Sequence, residues 1–420
     1  MGNPISWVLD KVVPPRLGKD FRWLLASSLV NNLGDGIVLA AGPLLVASQT
    51  RDPFLVSLAL TFDYLPALLF GLIGGVAADR FNRRWLVIGA NIARAIVLTL
   101  MVVMIATGSV SIALVLAAIL VLGTAEVFAD SAAGTLMPSI VAREDLGIGN
   151  ARMQGAFVLL NQLIGPPIGA FLFVVGMAIP FATNAAAFLL GAVLISRISA
   201  SVGDVALNRS GERTPFLADL LDGVRWLVHH AAMRTLALTV FTFNVTYGAA
   251  WGVLVLYARE RLGMDAVGFG LLTTATAAGG VIGIIIYGPL ERRFPLGNIF
   301  RVGLLIETFT HLILALTTVP LVALGTLVVF GGHAFIWGTI ANTIRQRAVP
   351  NELLGRVGSG MRFASFSGLV IGTPLGGLLA GQFGITAPFW FGFVGSLLLV
   401  VLLWRQFALV AHEADPSAKI

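Results

Sequence analysis

The sequence predicts an all-α integral membrane protein of twelve transmembrane helices in two pseudo-symmetric six-helix bundles. Three observations carry this reading. Hydrophobic residues make up 57% of 420 positions against 11% charged; apolar runs recur at the length a bilayer demands, about 20 residues each; and the second half of the chain repeats landmarks of the first. In a chain so apolar, lipid is the solvent for most residues, and no separate soluble domain fits.

In chain order, the spans of the first half fall near 22–47, 54–78, 85–107, 110–133, 152–175 and 178–197. Those of the second half fall near 235–258, 266–290, 298–318, 320–344, 357–382 and 386–409. The first run, Phe21 to Ala47, is too long for a signal-peptide core, so it is expected to stay as a membrane helix. Basic residues mark alternate breaks: Arg80, Arg83 and Arg84; Arg143 and Arg152; Arg292, Arg293 and Arg301; Arg345, Arg347 and Arg356. The breaks near Gly108, Gly176, Thr318 and Gly384 carry neither Lys nor Arg. Because basic residues collect on the cytoplasmic side of short loops, this alternation predicts a protein of the cell membrane with both termini cytoplasmic.

The organisation that follows is an N-terminal bundle over 1–197, a cytoplasmic linker over 198–234 and a C-terminal bundle over 235–420. Within the linker, the apolar residues between Phe216 and Val228 recur at helical spacing, which predicts an interfacial amphipathic helix.

The repeat emerges from two gapless shifts. Moving by 208 positions sets Val141, Glu144, Leu146, Gly147, Met153, Pro166 and Gly169 on Val349, Glu352, Leu354, Gly355, Met361, Pro374 and Gly377. Moving by 212 sets Asn32, Gly36 and Gly71 on Asn244, Gly248 and Gly283. Duplicated halves of this kind usually hold a ligand near the bilayer midplane between them, where rocking exposes it to each side in turn.

The turn between spans two and three reads Gly75-Val76-Ala77-Ala78-Asp79-Arg80-Phe81-Asn82-Arg83-Arg84. It resembles the signature loop of the major facilitator superfamily, with Asn82 where that family usually has Gly; Asn tolerates left-handed turn geometry. On this reading Gly75 allows close helix approach, Asp79 meets a helix N-terminus, and Arg83 pairs with Asp130 on span four, so that Gly75, Asp79, Arg80, Arg83, Arg84 and Asp130 act as a conformational latch. Gly165-Pro166-Pro167-Ile168-Gly169 in span five is similar to the Gly-Pro motif of the superfamily's antiporters, and Pro374, Gly376 and Gly377 stand in span eleven. These predict helix kinks with close packing. The Asn32-Leu33-Gly34-Asp35-Gly36 run and the loop from Pro138 through Leu146 resemble the superfamily's drug, macrolide and siderophore (enterobactin-type) exporter branch, which implies the major facilitator fold and efflux. Span four lacks the Arg that better-known drug–proton antiporters carry there.

An ionised Asp at a helix centre costs about 2.5–3.5 kcal/mol on insertion scales, so such residues face a cavity or a partner. Asp35, mid-span between two glycines, is the leading proton-coupling candidate, with Asp63 in span two as a second. Arg94 and Glu126 are expected at similar depth as a buried ion pair. Glu307 and His311, one helical turn apart, add a carboxyl and an imidazole, the side chain whose ordinary charge change falls near neutrality. Together with Asn32, Asn244, Tyr247, Trp251 and Trp337, they are the candidates to line a substrate cavity.

The formal net charge of +6 is spread over short loops rather than clustered, which argues against nucleic acid as a partner. With no Cys there is no disulfide, thiolate nucleophile or Cys-bound zinc. Neither a phosphate-binding loop ending in Lys-Ser or Lys-Thr nor a His-Glu-x-x-His pair occurs, and no nucleophile and base stand at credible spacing. The sequence therefore predicts a transporter rather than an enzyme, without metal or cofactor and driven by a proton gradient. Its expected partners are protons, a small amphipathic substrate and the lipid bilayer; no obligatory protein partner is evident, so a monomer is expected. An importer or lipid flippase of the same fold, and a transport-dead sensor or scaffold, stay open as alternatives.

Overall fold

A computed structural model describes residues 14–199, 224–404 and 406. Every regular element among them is helical. In chain order these are α1 (Gly18–Gln49), α2 (Pro53–Arg80), α3 (Arg83–Ala106), α4 (Ile112–Ile140), α5, α6 (Ile179–Ser196), α7 (Ala231–Trp251), α8 (Leu254–Glu260), α9 (Ala266–Arg293), α10 (Leu296–Leu316), α11 (Pro320–Ala348), α12 (Leu354–Phe383) and α13 (Ala387–Leu403). Helix α5 is composite, with α-helical Leu146–Ala156 and Gly165–Val175 flanking a π-helical stretch, Phe157–Ile164. Among the described residues, ten spans are long and apolar enough to cross a bilayer, and an eleventh arises if α7 and α8, bent by 41°, form one broken span. Helix α13 is apolar but shorter, with 17 residues. The protein is thus an integral membrane protein of many helical spans.

Polar side chains start several helices where unpaired backbone N–H groups need partners. Asn82 accepts from Trp85 N at 3.2 Å, Ser111 from Leu114 N at 3.4 Å and Asp265 from Gly268 N at 2.8 Å. Asn82 therefore does something other than the expected left-handed turn: its backbone is extended, φ −61° and ψ 114°, and its side chain caps α3. Among the described residues, left-handed backbone is confined to glycines, as at Gly108 and Gly384 after α3 and α12.

Two spans are irregular, the fifth beside the Gly-Pro motif where a kink was expected and the seventh where none was. The π-helical stretch of α5 runs directly into Gly165-Pro166-Pro167, where two successive prolines supply no N–H and the regular ladder cannot continue unchanged. The seventh span breaks after Trp251, at Gly252; a Cβ on that glycine would lie 3.0 Å from the Thr373 and Gly248 carbonyl oxygens. Glycine at a tight crossing is a recognised site of bending.

The chain forms two compact units, one of residues 1–49 with 65–209 and the other of 50–64 with 210–420, so α2 is shared between them. The expected amphipathic helix over 216–228 lies largely outside the described residues; residues 224–229 are helical.

Within the first unit, α1 packs along α5 and α6, and α3 lies against α4 and α6. Its core gathers Phe21, Leu24, Val87, Leu136 and Ile195. In the second, α7 packs along α12, α9 along α11, and α10 against α11 and α13, around Met233, Leu236, Phe300, Trp337 and Ile340.

The internal repeat is expressed as the same kind of helix crossing in both units. A Cβ on Gly36 of α1 would meet the carbonyl oxygens of Asn161 and Leu160 at 2.5 and 2.7 Å, and one on Gly165 would meet Gly36 Cα at 2.5 Å. Gly169 sits against the backbone of Ile37. In the second unit, the repeat-related Gly248 of α7 faces Leu369 O and Thr373 N, both at 3.1 Å, while Gly372 and Gly376 of α12 press on the backbone of Val245 and Ala249, and Gly377 on Ser57 and Phe54. Small residues let these backbones meet, as membrane helix pairs require. Gly75 does not share this use, since a Cβ there would meet nothing within 4 Å; its neighbour Gly74 carries the approach, with Val127 O at 3.1 Å.

Candidate functional site

The first unit encloses a polar cavity of about 400 Å³, lined by residues of α1, α3, α4, α5 and α6. Asp35 lies on its wall together with Asn32, Arg94, Glu126 and Asp130. Two small residues place Asp35 there. Gly34 fits against Asn184 of α6 and Gly36 against the π-helical part of α5, so the carboxyl between them points to open space and is 24% exposed.

Arg94, by contrast, is only 5% exposed, and both terminal nitrogens and the plane of its guanidinium are engaged. Nη1 stands 3.7 Å from Asp35 Oδ2, Nη2 donates to Asn91 Oδ1 at 2.8 Å, and the plane covers the Phe188 ring at 4.0 Å. Asn91 Oδ1 also accepts from Asn31 Nδ2 at 3.3 Å. The ion pair that Arg94 makes is thus with Asp35, where pairing with Glu126 was expected; Glu126 stays on the same cavity wall. Four buried polar atoms around this pair, Asn31 Oδ1, Asn91 Nδ2, Arg94 Nε and Asn184 Oδ1, have no hydrogen-bond partner. Buried polar groups are normally satisfied, so these four atoms are an exception.

Asn91 is the residue sequence reasoning passed over here. Its signal was its place three positions before Arg94, which puts both on one helix face. Asn32, a predicted lining residue, donates to Ser28 O at 2.8 Å and Ser28 Oγ at 3.0 Å on the same wall. Asp63 belongs to the second unit, where its side chain is exposed.

The arginine-rich turn between α2 and α3 has a different set of bonds from the expected Arg83–Asp130 pair. Arg83 donates to the carbonyls of Ala78 at 3.3 Å and Thr135 at 3.2 Å, and Arg84 to those of Ile195, at 3.4 Å, and Ser196. Cationic donors there satisfy carbonyls near the C-terminal ends of α2, α4 and α6 and bind those ends together. Asp79 and Arg80 are exposed, and Asp130 lines the polar cavity instead.

In the second unit the predicted aromatic residues stack in a seam. Tyr247 lies against Phe243, Trp251 and Phe330 with centroids 6.2, 4.3 and 5.8 Å away, and Trp337 against Phe243 and Phe300 at 5.7 and 4.6 Å. Asn244 donates to Val240 O, one turn back, at 2.7 Å. Beside the seam lies an apolar cavity of about 510 Å³ between α9, α10 and α11, with His333 and Trp337 on its wall. Glu307 and His311 come together as expected, Oε1 to Nε2 at 3.0 Å, and His333 joins them from α11 with Nε2 3.4 Å from Glu307 Oε2. Among the described residues no cluster of His, Asp and Glu has the geometry of a metal site.

A family of proteins described as transmembrane secretion effectors, MFS_3, matches residues 13–420. The chain belongs to this family. MFS_3 is a branch of the major facilitator superfamily, and curated relatives of this chain are named as drug and siderophore exporters. The multidrug efflux pump Tap of Mycolicibacterium fortuitum is 26% identical over 377 residues, 87% of this chain and 90% of Tap. The enterobactin exporter EntS of Salmonella typhimurium is 26% identical over 421 residues, 95% of this chain and 96% of EntS. Among solved structures, an inward-facing bacterial homologue of the iron transporter ferroportin superimposes with a TM-score of 0.71 at 18% identity, over 93% of this chain and 98% of that one. The nucleoside transporter NupG gives 0.70 at 13% identity, over 94% and 99%. At such identities the likeness is one of fold. As a member of MFS_3, the protein is a membrane transporter of the exporter branch.

Proposed function

We propose that the protein is a proton-coupled exporter of a small amphipathic molecule, a drug, a siderophore or a compound of similar character. It works as a monomer in the plasma membrane with both termini cytoplasmic. Twelve spans form two six-helix bundles, over 1–197 and 235–420, that alternate access to the substrate. Efflux is the activity named for both Tap and EntS, relatives along most of the chain.

The observation that carries the coupling is the Asp35–Arg94 pair on the wall of a polar cavity. While Asp35 is ionised, Arg94 is neutralised and the cavity wall is closed electrically. When Asp35 takes a proton, the attraction across 3.7 Å disappears. Arg94 keeps Asn91 and Phe188 as partners but gains freedom to bias the helices that carry it. With Asp35 ionised, Glu126 and Asp130 on the same wall leave negative charge for a cationic substrate in a low-dielectric site; with Asp35 protonated, Arg94 is uncompensated and the cation is disfavoured. Proton and substrate thereby compete for one electrostatic balance, the condition under which a ligand shifts an equilibrium between states.

Efflux of a cationic fluorescent dye from vesicles bearing the purified protein tests this. Asp35→Asn should abolish dye movement driven by a proton gradient while leaving the protein folded, with a lower melting temperature because Arg94 loses its counter-charge. Unchanged movement would remove Asp35 from the mechanism, and dye uptake down its own gradient, indifferent to protons, would point to a facilitator instead. The ligand class follows from thermal stabilisation of the purified protein by a panel of drugs, siderophores and lipids, because binding to the folded state raises apparent stability.

A further inference from the structure

The mechanism above makes no use of the most deeply buried ionisable cluster in the second unit. Glu307 and His311 on α10 and His333 on α11 are 1%, 0% and 5% exposed. They are packed among aromatic rings, with Trp251 edge-on to His311 at 6.4 Å and Phe243 and Phe330 edge-on to His333 at 6.5 and 6.1 Å. Two glycines make the space. A Cβ on Gly392 of α13 would lie 2.5 Å from His311 Nδ1, and one on Gly303 of α10 would lie 2.9 Å from His333 Nδ1. From α7, Tyr247 is the further titratable group that faces Glu307.

The hydrogen bonds in this cluster are incomplete in a specific way. His311 Nε2 and Glu307 Oε1 form one bond at 3.0 Å. Glu307 Oε2, His333 Nε2 and His311 Nδ1 have no hydrogen-bond partner, although the first two stand 3.4 Å apart. An ionised carboxyl with two neutral imidazoles carries a net negative charge on buried side chains packed among aromatic rings, an expensive arrangement in a low-dielectric interior. One proton placed between Glu307 Oε2 and His333 Nε2 cancels that charge and satisfies two of the three unpaired atoms together. The apolar cavity of about 510 Å³ touches His333 but neither Glu307 nor His311, so His333 is the member with a route to the outside of the cluster.

We propose that Glu307, His311 and His333 form a proton-binding site in the second unit, which takes up a single proton between Glu307 and His333 by way of His333. His311 is a positioning residue that holds Oε1 and so turns Oε2 toward His333. The binding of the proton stands on the geometry of the cluster, and only its use in driving efflux rests on the exporter reading.

The test is nitrogen NMR of the full-length protein in lipid nanodiscs with labelled imidazoles, together with infrared detection of protonated carboxyl groups. His311→Asn and His333→Asn, with His333→Gln as the alternative should the first not fold, assign the two signals. Between about pH 8 and about pH 5, a range that spans the ordinary imidazole transition, one proton should enter the cluster. It would be seen as one imidazolium or as one carboxyl band, and either should vanish in Glu307→Gln while the other histidines are unaffected. An imidazolium already present at the upper pH and lost in Glu307→Gln is the same site, loaded throughout. Two neutral imidazoles with no carboxyl band dependent on Glu307 overturn the proposal. So does joint displacement of both imidazole signals by micromolar zinc, which would make the cluster a metal site. Proton uptake should persist in Asp35→Asn, so failure of the exporter mechanism and failure of this site are read separately.

Discussion

Arg94 is held by three kinds of contact at once: a carboxylate, an amide oxygen and an aromatic face. Removing it leaves Asp35 with no cation beside it. Breaking a fully buried pair costs about 3–5 kcal/mol; the 24% exposure of Asp35 places Arg94→Met at or below about 3 kcal/mol. Thermal unfolding in detergent should show that loss, and adding Asp35→Asn should recover much of it, because the stranded charge is then gone. A double mutant as unstable as Arg94→Met alone would mean that the packing of the guanidinium, rather than its charge, is what matters. Phe188→Leu, which removes the ring but keeps apolar volume, should cost about 2 kcal/mol, the upper range for a desolvated cation–π contact.

At the scale of helices, the decisive residues are the glycines at crossings. Gly376 faces the backbone of Ala249, which cannot yield as a flexible side chain would. Gly376→Val should therefore abolish the yield of folded protein on size-exclusion chromatography. Gly381→Val on the same helix, where a Cβ would meet nothing within 4 Å, should leave the yield unchanged. The cap of α3 makes a smaller contribution. Asn82→Ala should lower stability by about 1 kcal/mol and Asn82→Gly by only a few tenths, since glycine at a cap forfeits little. Equal losses in a thermal melt would indicate a role for Asn82 outside the cap.

At the scale of the whole molecule, the prediction concerns energy supply. If protons drive export, a protonophore should stop dye efflux from intact vesicles within the time the gradient takes to collapse, and reversing the gradient should reverse the flux. Efflux that continued without a gradient would require another driving ion.

Periodicity and composition alone placed the ten or eleven membrane spans seen among the described residues, because apolar length against bilayer thickness is a property of consecutive residues. Isolated charges in those spans were legible for the same reason, so Asp35, Arg94, Glu126, Glu307 and His311 stood out against an apolar background. Their partners did not. Arg94 meets Asp35 rather than Glu126, Arg83 meets helix-end carbonyls rather than Asp130, and His333 completes a cluster with residues on another helix. The repeat pointed to Gly36 and Gly248, yet it could not say that each meets the proline-bearing helix of its own unit. The sequence determined which residues are costly in lipid; the tertiary structure decided which of them share that cost. Pairing depends on how each helix is rotated about its axis, and that rotation is set by contacts between residues far apart in the chain.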